Sequence, residues 1–160
     1  MSYVNCQFNV ASRLFLHISG DNRIHLWDIE SKKEKISYVD KNHLSHKFNC
    51  FSWSQQSIDS HIGDTNISTL SVGYSDGKIL NWDLLRGVPS SSFDTIGNNI
   101  PSGIVYSLCK KYLFISSLSE NLITKYSLSS GEVLATIRIG KKPVSKVAIN
   151  PKVDVIAASR

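Results

Sequence analysis

The stretches Ile24-His25-Leu26-Trp27-Asp28 and Ile79-Leu80-Asn81-Trp82-Asp83 both begin with Ile and end in Trp-Asp. Each follows a short polar turn, which is Gly20-Asp21-Asn22 in the first case and Ser75-Asp76-Gly77 in the second. A third stretch, Leu122-Ile123-Thr124-Lys125-Tyr126-Ser127, follows a similar polar turn but has Tyr in place of Trp. Self-similarity of this kind indicates a fold that is built from repeated units.

The interval between the repeats is that of one four-stranded unit of a β-propeller. Tyr126 lies about 44 residues after Trp82, and one such unit takes about 40 to 45 residues. The interval from Trp27 to Trp82 is about ten residues longer, and the polar stretch 55–66 accounts for the excess as a loop. The apolar runs are short and lack a period near 3.6, so they predict strands and no helix.

The strand-like runs divide the chain into four units. We expect an all-β fold, a β-propeller with about three and a half blades that span residues 8–39, 44–94, 103–140 and 144–160. Because an incomplete fourth unit does not easily close a ring, the sequence is interpreted as a fragment of a longer protein or an incomplete gene model. A natural four-bladed ring is the alternative. Asp21-Asn22 and Asp76-Gly77 predict hairpin turns, and Asp-Gly predicts a type in which both residues have positive φ.

Composition is that of a globular chain with a basic bias. Of the 160 residues, 41% are hydrophobic and 19% are charged, which excludes a disordered chain, and the formal net charge is +5. The three cysteines, Cys6, Cys50 and Cys109, have no metal-ligand spacing and are interpreted as reduced core residues of an intracellular protein. No signal peptide or membrane span is evident, so we expect a cytosolic or nuclear protein. Because no metal-ligand spacing is present, we also expect no metal or other cofactor.

The polar residues at repeated positions are better explained by structure than by catalysis. Asp21, Asp76 and Glu120 occupy equivalent turns, where a carboxylate accepts backbone N–H bonds. No Gly-x-Ser-x-Gly elbow or phosphate-binding loop is present, so we expect no enzymatic activity. The predicted structural residues, which hold turns, cap strands or anchor the core, are Asp21, Trp27, Asp28, His43, Asp76, Trp82 and Asp83.

The excess positive charge lies in the second half of the chain. Two lysine pairs, Lys110-Lys111 and Lys141-Lys142, fall at predicted turns or strand ends, with Arg138 and Lys146 close to the second pair. Lysines at exposed rims can contact the phosphates of RNA, so all four lysines are candidate RNA-contacting residues. The alternative is that they are ordinary solvated residues of exposed turns.

The turn, strand and Trp-Asp units resemble those of the WD-repeat β-propeller family. In that family a turn Asp, a His near the blade entry, a strand Ser or Thr and the Trp form a buried hydrogen-bonded set. The resemblance maps this set onto Asp76, His43, Ser71 and Trp82. The third unit has Glu120 and Tyr126 in place of Asp and Trp, so its set is expected to be weakened or absent.

A closer resemblance covers the runs Tyr38–Ser45 and Phe48–Trp53, with His-Leu-Ser followed by Cys-x-x-x-Trp. These runs are similar to the amino-terminal propeller of the WD-repeat protein forty-three family, a nucleolar component of the small-subunit processome. The resemblance implies a nuclear and nucleolar scaffold in pre-ribosomal RNA transcription and processing. Its partners would be other protein subunits of a large ribonucleoprotein assembly and the pre-ribosomal RNA, with no membrane and no small-molecule substrate. The alternative is a generic WD-repeat adaptor, such as a substrate receptor or a trafficking scaffold, located in the cytosol.

Overall fold

The computed structural model describes residues 6–8, 14–39, 45, 47–54, 69–84, 86–150, 152–153 and 155–159. This part of the chain is all-β, as predicted, with antiparallel strands and one 3-10 turn at Ile96–Asn98. The predicted His43 and the stretch 55–66 lie outside the described residues. So does the carboxyl end of the Tyr38–Ser45 run, apart from Ser45.

The strands form three four-stranded sheets and one two-stranded sheet, each in sequence order. The first sheet consists of β1 (Cys6–Phe8), β2 (Leu14–Ile18), β3 (Ile24–Asp28) and β4 (Lys33–Tyr38). The second consists of β5 (Phe48–Trp53), β6 (Thr69–Tyr74), β7 (Lys78–Asp83) and β8 (Val88–Asp94). The third consists of β9 (Pro101–Tyr106), β10 (Tyr112–Ser117), β11 (Leu122–Ser127) and β12 (Val133–Arg138). The fourth is the hairpin of β13 (Lys146–Ile149) and β14 (Ile156–Ser159).

The three larger sheets repeat one another in detail. In each, the ladder between the third and fourth strands shifts register immediately before the repeated aromatic residue, which is Trp27, Trp82 or Tyr126. The loop that follows the third strand contains a residue with positive φ at the same distance from each aromatic residue. These residues are Lys32, Gly87 and Gly131. Tyr126 therefore occupies the predicted place of the missing tryptophan.

The hairpin turns occur where the sequence predicts them, but the predicted turn type is wrong. Only one residue of each turn has positive φ, Asn22 in the first sheet and Gly77 in the second. The Gly77 N–H donates to the Tyr74 carbonyl at 3.1 Å, and the Asn22 N–H donates to the Ser19 carbonyl at 2.9 Å. A three-residue loop that ends in one left-handed residue explains this geometry, whereas the two-residue turn would need two such residues.

The sheets pack face to face in chain order. Leu16 and Leu26 of the first sheet are buried against the face of the second sheet that carries Trp82. The opposite face of the second sheet, which includes Ile79, is buried against the face of the third that carries Tyr126. The repeated aromatic residues of the second and third sheets thus point toward the preceding sheet.

The same arrangement gives the two repeated tryptophans different environments. Trp82 is fully buried, but Trp27 is only half-buried because it lies on the face of the first sheet that points away from the second sheet. Phe51 and Val147 are half-buried as well. Val147 packs against the backbone of Gly103, where an added Cβ would meet the Val147 side chain at 3.1 Å.

The second, third and fourth sheets approach one another most closely through their first strands, since β5 contacts β9 and β9 contacts β13. The fourth strands β4, β8 and β12 are mostly exposed, and every residue of β12 is exposed. The second and third sheets therefore each have a packed first strand at one edge and a solvent-exposed fourth strand at the other, whereas β1 of the first sheet is mostly exposed.

Candidate functional site

The turn aspartates make local contacts. The Asp76 carboxylate accepts the Lys78 backbone N–H at 3.1 Å, which is the predicted way for a carboxylate to hold a hairpin. Asp21 instead accepts the Ser19 hydroxyl and the Arg23 Nε–H, the latter at 2.9 Å. The Ser19 hydrogen bond holds the pKa of the Asp21 carboxyl below its ordinary value, and Arg23 contributes in the same direction.

The aspartates that follow the tryptophans cap the next loop, as predicted. Asp28 accepts the Ser31 backbone N–H at 2.9 Å, and Asp83 accepts the Arg86 backbone N–H at 3.1 Å. The Ser31 hydrogen bond lowers the pKa of the Asp28 carboxyl. In the third sheet, the Ser127 hydroxyl accepts the corresponding backbone N–H three residues later, at 3.3 Å.

Trp82 joins the first two sheets. Its ring stacks on Tyr38 at a centroid distance of 5.9 Å, and the Tyr38 hydroxyl donates to the Leu84 carbonyl at 2.6 Å. Burial raises the pKa of the Tyr38 phenol, and the Asp83 charge adds to this shift. The buried indole N–H of Trp82 has no hydrogen-bond partner among the described residues.

The structure does not join Ser71 to Trp82. Trp82 pairs across the ladder with Leu70, so Ser71 lies on the opposite face of the sheet, because side chains alternate along a strand. The Ser71 hydroxyl instead bonds Asn81 Oδ1 and the Tyr106 hydroxyl, both at 2.6 Å. Sequence reasoning missed this buried network, although Asn81 within an apolar strand was a signal for it.

This network links the second and third sheets with buried polar groups that satisfy one another. Asn81 also donates through Nδ2 to the Ser91 hydroxyl at 2.9 Å. Burial raises the pKa of the Tyr106 phenol well above its ordinary value, so the hydroxyl remains protonated. Buried networks in which every member is satisfied favour one arrangement of the packed elements. The network therefore fixes how the two sheets meet.

Two stacked histidines lie on the exposed face of the first sheet. The rings of His17 and His25 lie 4.6 Å apart, and His25 Nδ1 lies 2.6 Å from the Glu34 carboxylate. Burial lowers the pKa of His17, and the neighbouring His25 adds to this effect. Within the described ranges, no group of three or more His, Cys, Asp or Glu residues could hold a metal ion.

The cysteine prediction holds for one residue of three. Cys50 is buried, and burial raises the pKa of its thiol well above the ordinary value. Cys6 and Cys109 are exposed, so the expectation that they are core residues is wrong. Cys6 belongs to the edge strand β1, and Cys109 lies in the loop that joins β9 to β10, which explains their exposure.

The four candidate lysines do not form one surface. Lys110 and Lys111 immediately precede β10, whereas Lys141 and Lys142 follow β12 at the opposite end of the same sheet. Strands of this length separate the two ends by about 20 Å. Lys110 has a φ of 58° and is half-buried, and burial lowers the pKa of its ammonium group. Lys111, Lys141 and Lys142 are exposed.

Beside Lys141 lies a cleft of about 270 Å³. It is formed by the β10–β11 hairpin and the segment that follows β12, and its lining residues are Ser119, Glu120, Asn121, Leu122, Arg138, Lys141 and Pro143. The Asn121 side chain bonds the Gly140 carbonyl, and the Ser119 hydroxyl donates to Asn99 Oδ1 at 2.9 Å. These bonds hold the two walls of the cleft in place.

Charges in and near the cleft favour an anionic ligand. Arg138, Lys141, Lys142 and Lys146 are exposed and form no ion pair with any residue that the structure describes. Glu120 is the acidic residue in the lining. A guanidinium and an ammonium group in one cleft can contact phosphate oxygens.

No protein-family model matches the chain, and no curated protein matches it. Among the described residues, no helix is long and apolar enough to cross a membrane.

Proposed function

We propose that the chain is a part of a WD-repeat β-propeller and serves as a scaffold in a ribonucleoprotein assembly. The repeated position of Trp27, Trp82 and Tyr126, with the same register shift beside each, supports the WD-repeat assignment. Contact between neighbouring first strands, with exposed fourth strands, is the arrangement expected for blades around a central axis.

The proposed assembly is the small-subunit processome of the nucleolus, in which the chain would act without catalysis in pre-ribosomal RNA transcription and processing. The resemblance of the Tyr38–Ser45 and Phe48–Trp53 runs suggests this role. The observation that carries it furthest is the group of exposed, unpaired cations around Arg138 and Lys141, because a scaffold of this kind meets RNA as well as protein. The partners are then protein subunits of the assembly and pre-ribosomal RNA.

Affinity purification of the tagged chain from cells of its source tests this proposal. The purified fraction is expected to be enriched in pre-ribosomal RNA and small-subunit assembly factors, and the tagged chain is expected to localise to the nucleolus. A Trp82→Ala variant, which disrupts the packed core, provides the control for non-specific recovery.

The alternative function, a generic WD-repeat adaptor, predicts a different result in the same experiment. Recovery of ubiquitin-ligase or vesicle-coat subunits, without enrichment of pre-ribosomal RNA and with a cytosolic location, would contradict the processome role and favour the adaptor.

A further inference from the structure

We infer that the cleft at the end of β12 binds the phosphate backbone of single-stranded RNA through Arg138 and Lys141, and that the Lys110-Lys111 end does not. The inference rests on the RNA contact of the proposed function, and it assigns that contact to one end of the third sheet.

Comparison with the equivalent places in the other sheets supports this assignment. Arg138 is the ladder partner of Leu122, the first residue of β11. The residue in the same ladder position of the second sheet is Asp94, the partner of Lys78. The corresponding turn residue is acidic in all three sheets. At this end the second sheet therefore has two acidic residues, Asp76 and Asp94, together with Lys78, the partner of Asp94. In the third sheet, an arginine and a lysine join the acidic Glu120.

Within the described part of the chain, the positive charges at this end have no ion-pair partner. In the first sheet, Arg23 lies 2.9 Å from the Asp21 carboxylate, so that its charge is neutralised locally. In the third sheet, neither Arg138 nor Lys141 forms an ion pair with Glu120, although all three line the same cleft. The cations of the cleft are therefore free to bind an external anion.

Exposed lysines extend the positively charged surface from the cleft to the fourth sheet. Lys142 lies in the segment that joins the third sheet to the fourth, and Lys146 is the first residue of β13, at the same end of the structure. A row of exposed cations suits a polyanion with regularly repeated charges better than a single phosphate. At the other end of the third sheet, Lys110 is half-buried, which leaves its ammonium group less accessible to a phosphate.

A matched pair of variants tests the inference in the full 160-residue chain. Arg138→Ala with Lys141→Ala removes two charges from the cleft, and Lys110→Ala with Lys111→Ala removes two from the opposite end. Binding of a 15-nucleotide oligouridylate is measured by fluorescence anisotropy at several salt concentrations, after circular dichroism has established that both variants are folded.

The expected magnitude follows from counterion release. Each phosphate contact contributes about 0.7 to the slope of log affinity against log salt for a single strand. Loss of two contacts should make the slope shallower by about 1.4 and weaken binding about 25-fold in 0.1 M salt. The Lys110 and Lys111 variant should retain both the affinity and the slope. Glu120→Gln should strengthen binding, by up to about fivefold, because it removes a negative charge from the cleft.

Other results would overturn the inference in distinguishable ways. If the Lys110 and Lys111 variant loses affinity and the cleft variant does not, RNA binds the other end, and the proposed function stands without this assignment. If an oligoglutamate peptide of equal charge binds more tightly than the RNA, the cleft is a site for an acidic protein segment. If the wild-type chain does not bind the RNA even in 50 mM salt, direct RNA contact is excluded, while the purification experiment decides the processome role separately.

Discussion

Replacing Trp82 with Ala is expected to lower the free energy of unfolding by about 3–5 kcal/mol. Only 1% of the Trp82 surface is exposed, and the ring lies in the core between the first two sheets. An indole buries about 150–250 Å², which contributes about 4–6 kcal/mol at about 25 cal/mol per Å². Alanine retains Cβ, and removal of a buried N–H that has no partner in the described part of the chain recovers about 1 kcal/mol, which leaves the expected loss.

Urea denaturation followed by far-ultraviolet circular dichroism measures this loss without relying on tryptophan fluorescence. Two further variants serve as comparisons for Trp82→Ala. Trp82→Phe retains a ring that can stack on Tyr38 and lacks the unpaired N–H, so it should cost less than Trp82→Ala. Trp27 occupies the same repeated position but is only half-buried, so Trp27→Ala should cost less than Trp82→Ala. A cost below about 1 kcal/mol for Trp82→Ala, or equal costs at the two tryptophans, would refute the packing order of the sheets.

Three further predictions concern stability and association. Gly87→Ala should lower the melting temperature by several degrees, because φ is 67° there and an added Cβ would lie 2.3 Å from the Tyr38 ring; an unchanged melting temperature would contradict this contact. The folded pKa of His17 lies below its ordinary 6.5, so the unfolded chain takes up a proton at a higher pH than the folded chain does. Stability should therefore fall as pH drops below about 6.5, and His17→Phe should flatten a stability profile measured from pH 7 to pH 5. Because β12 is an exposed apolar edge, Ile137→Lys should reduce self-association in sedimentation velocity, and equal association would exclude this edge as its cause.

The repeat was the part of the fold that sequence could predict. The strand patterns around Trp27, Trp82 and Tyr126 depend on local alternation and turn chemistry, and the structure has strands at each of them. The sequence was also sufficient to predict that Asp28 and Asp83 cap loops, because that role requires only a nearby backbone N–H.

Properties that depend on how the sheets face one another were not predictable in the same way. Trp27 and Trp82 occupy equivalent positions in the sequence, and only the packing order of the sheets shows that Trp82 is fully buried and Trp27 half-buried. The pairing of Ser71 with Tyr106 joins residues of different sheets, which no local pattern indicates. The two lysine pairs, similar in sequence, lie at opposite ends of one sheet because three antiparallel strands, β10 to β12, separate them.

Ultraviolet cross-linking of the purified assembly, followed by mass spectrometry of the cross-linked peptides, tests the functional claim most directly. If RNA binds at the end of β12, cross-links to pre-ribosomal RNA are expected in the part of the chain from Ser119 to Lys146 and not at Lys110 or Lys111. An assembly in which this chain is present and cross-links only to proteins would contradict the claim that it contacts RNA.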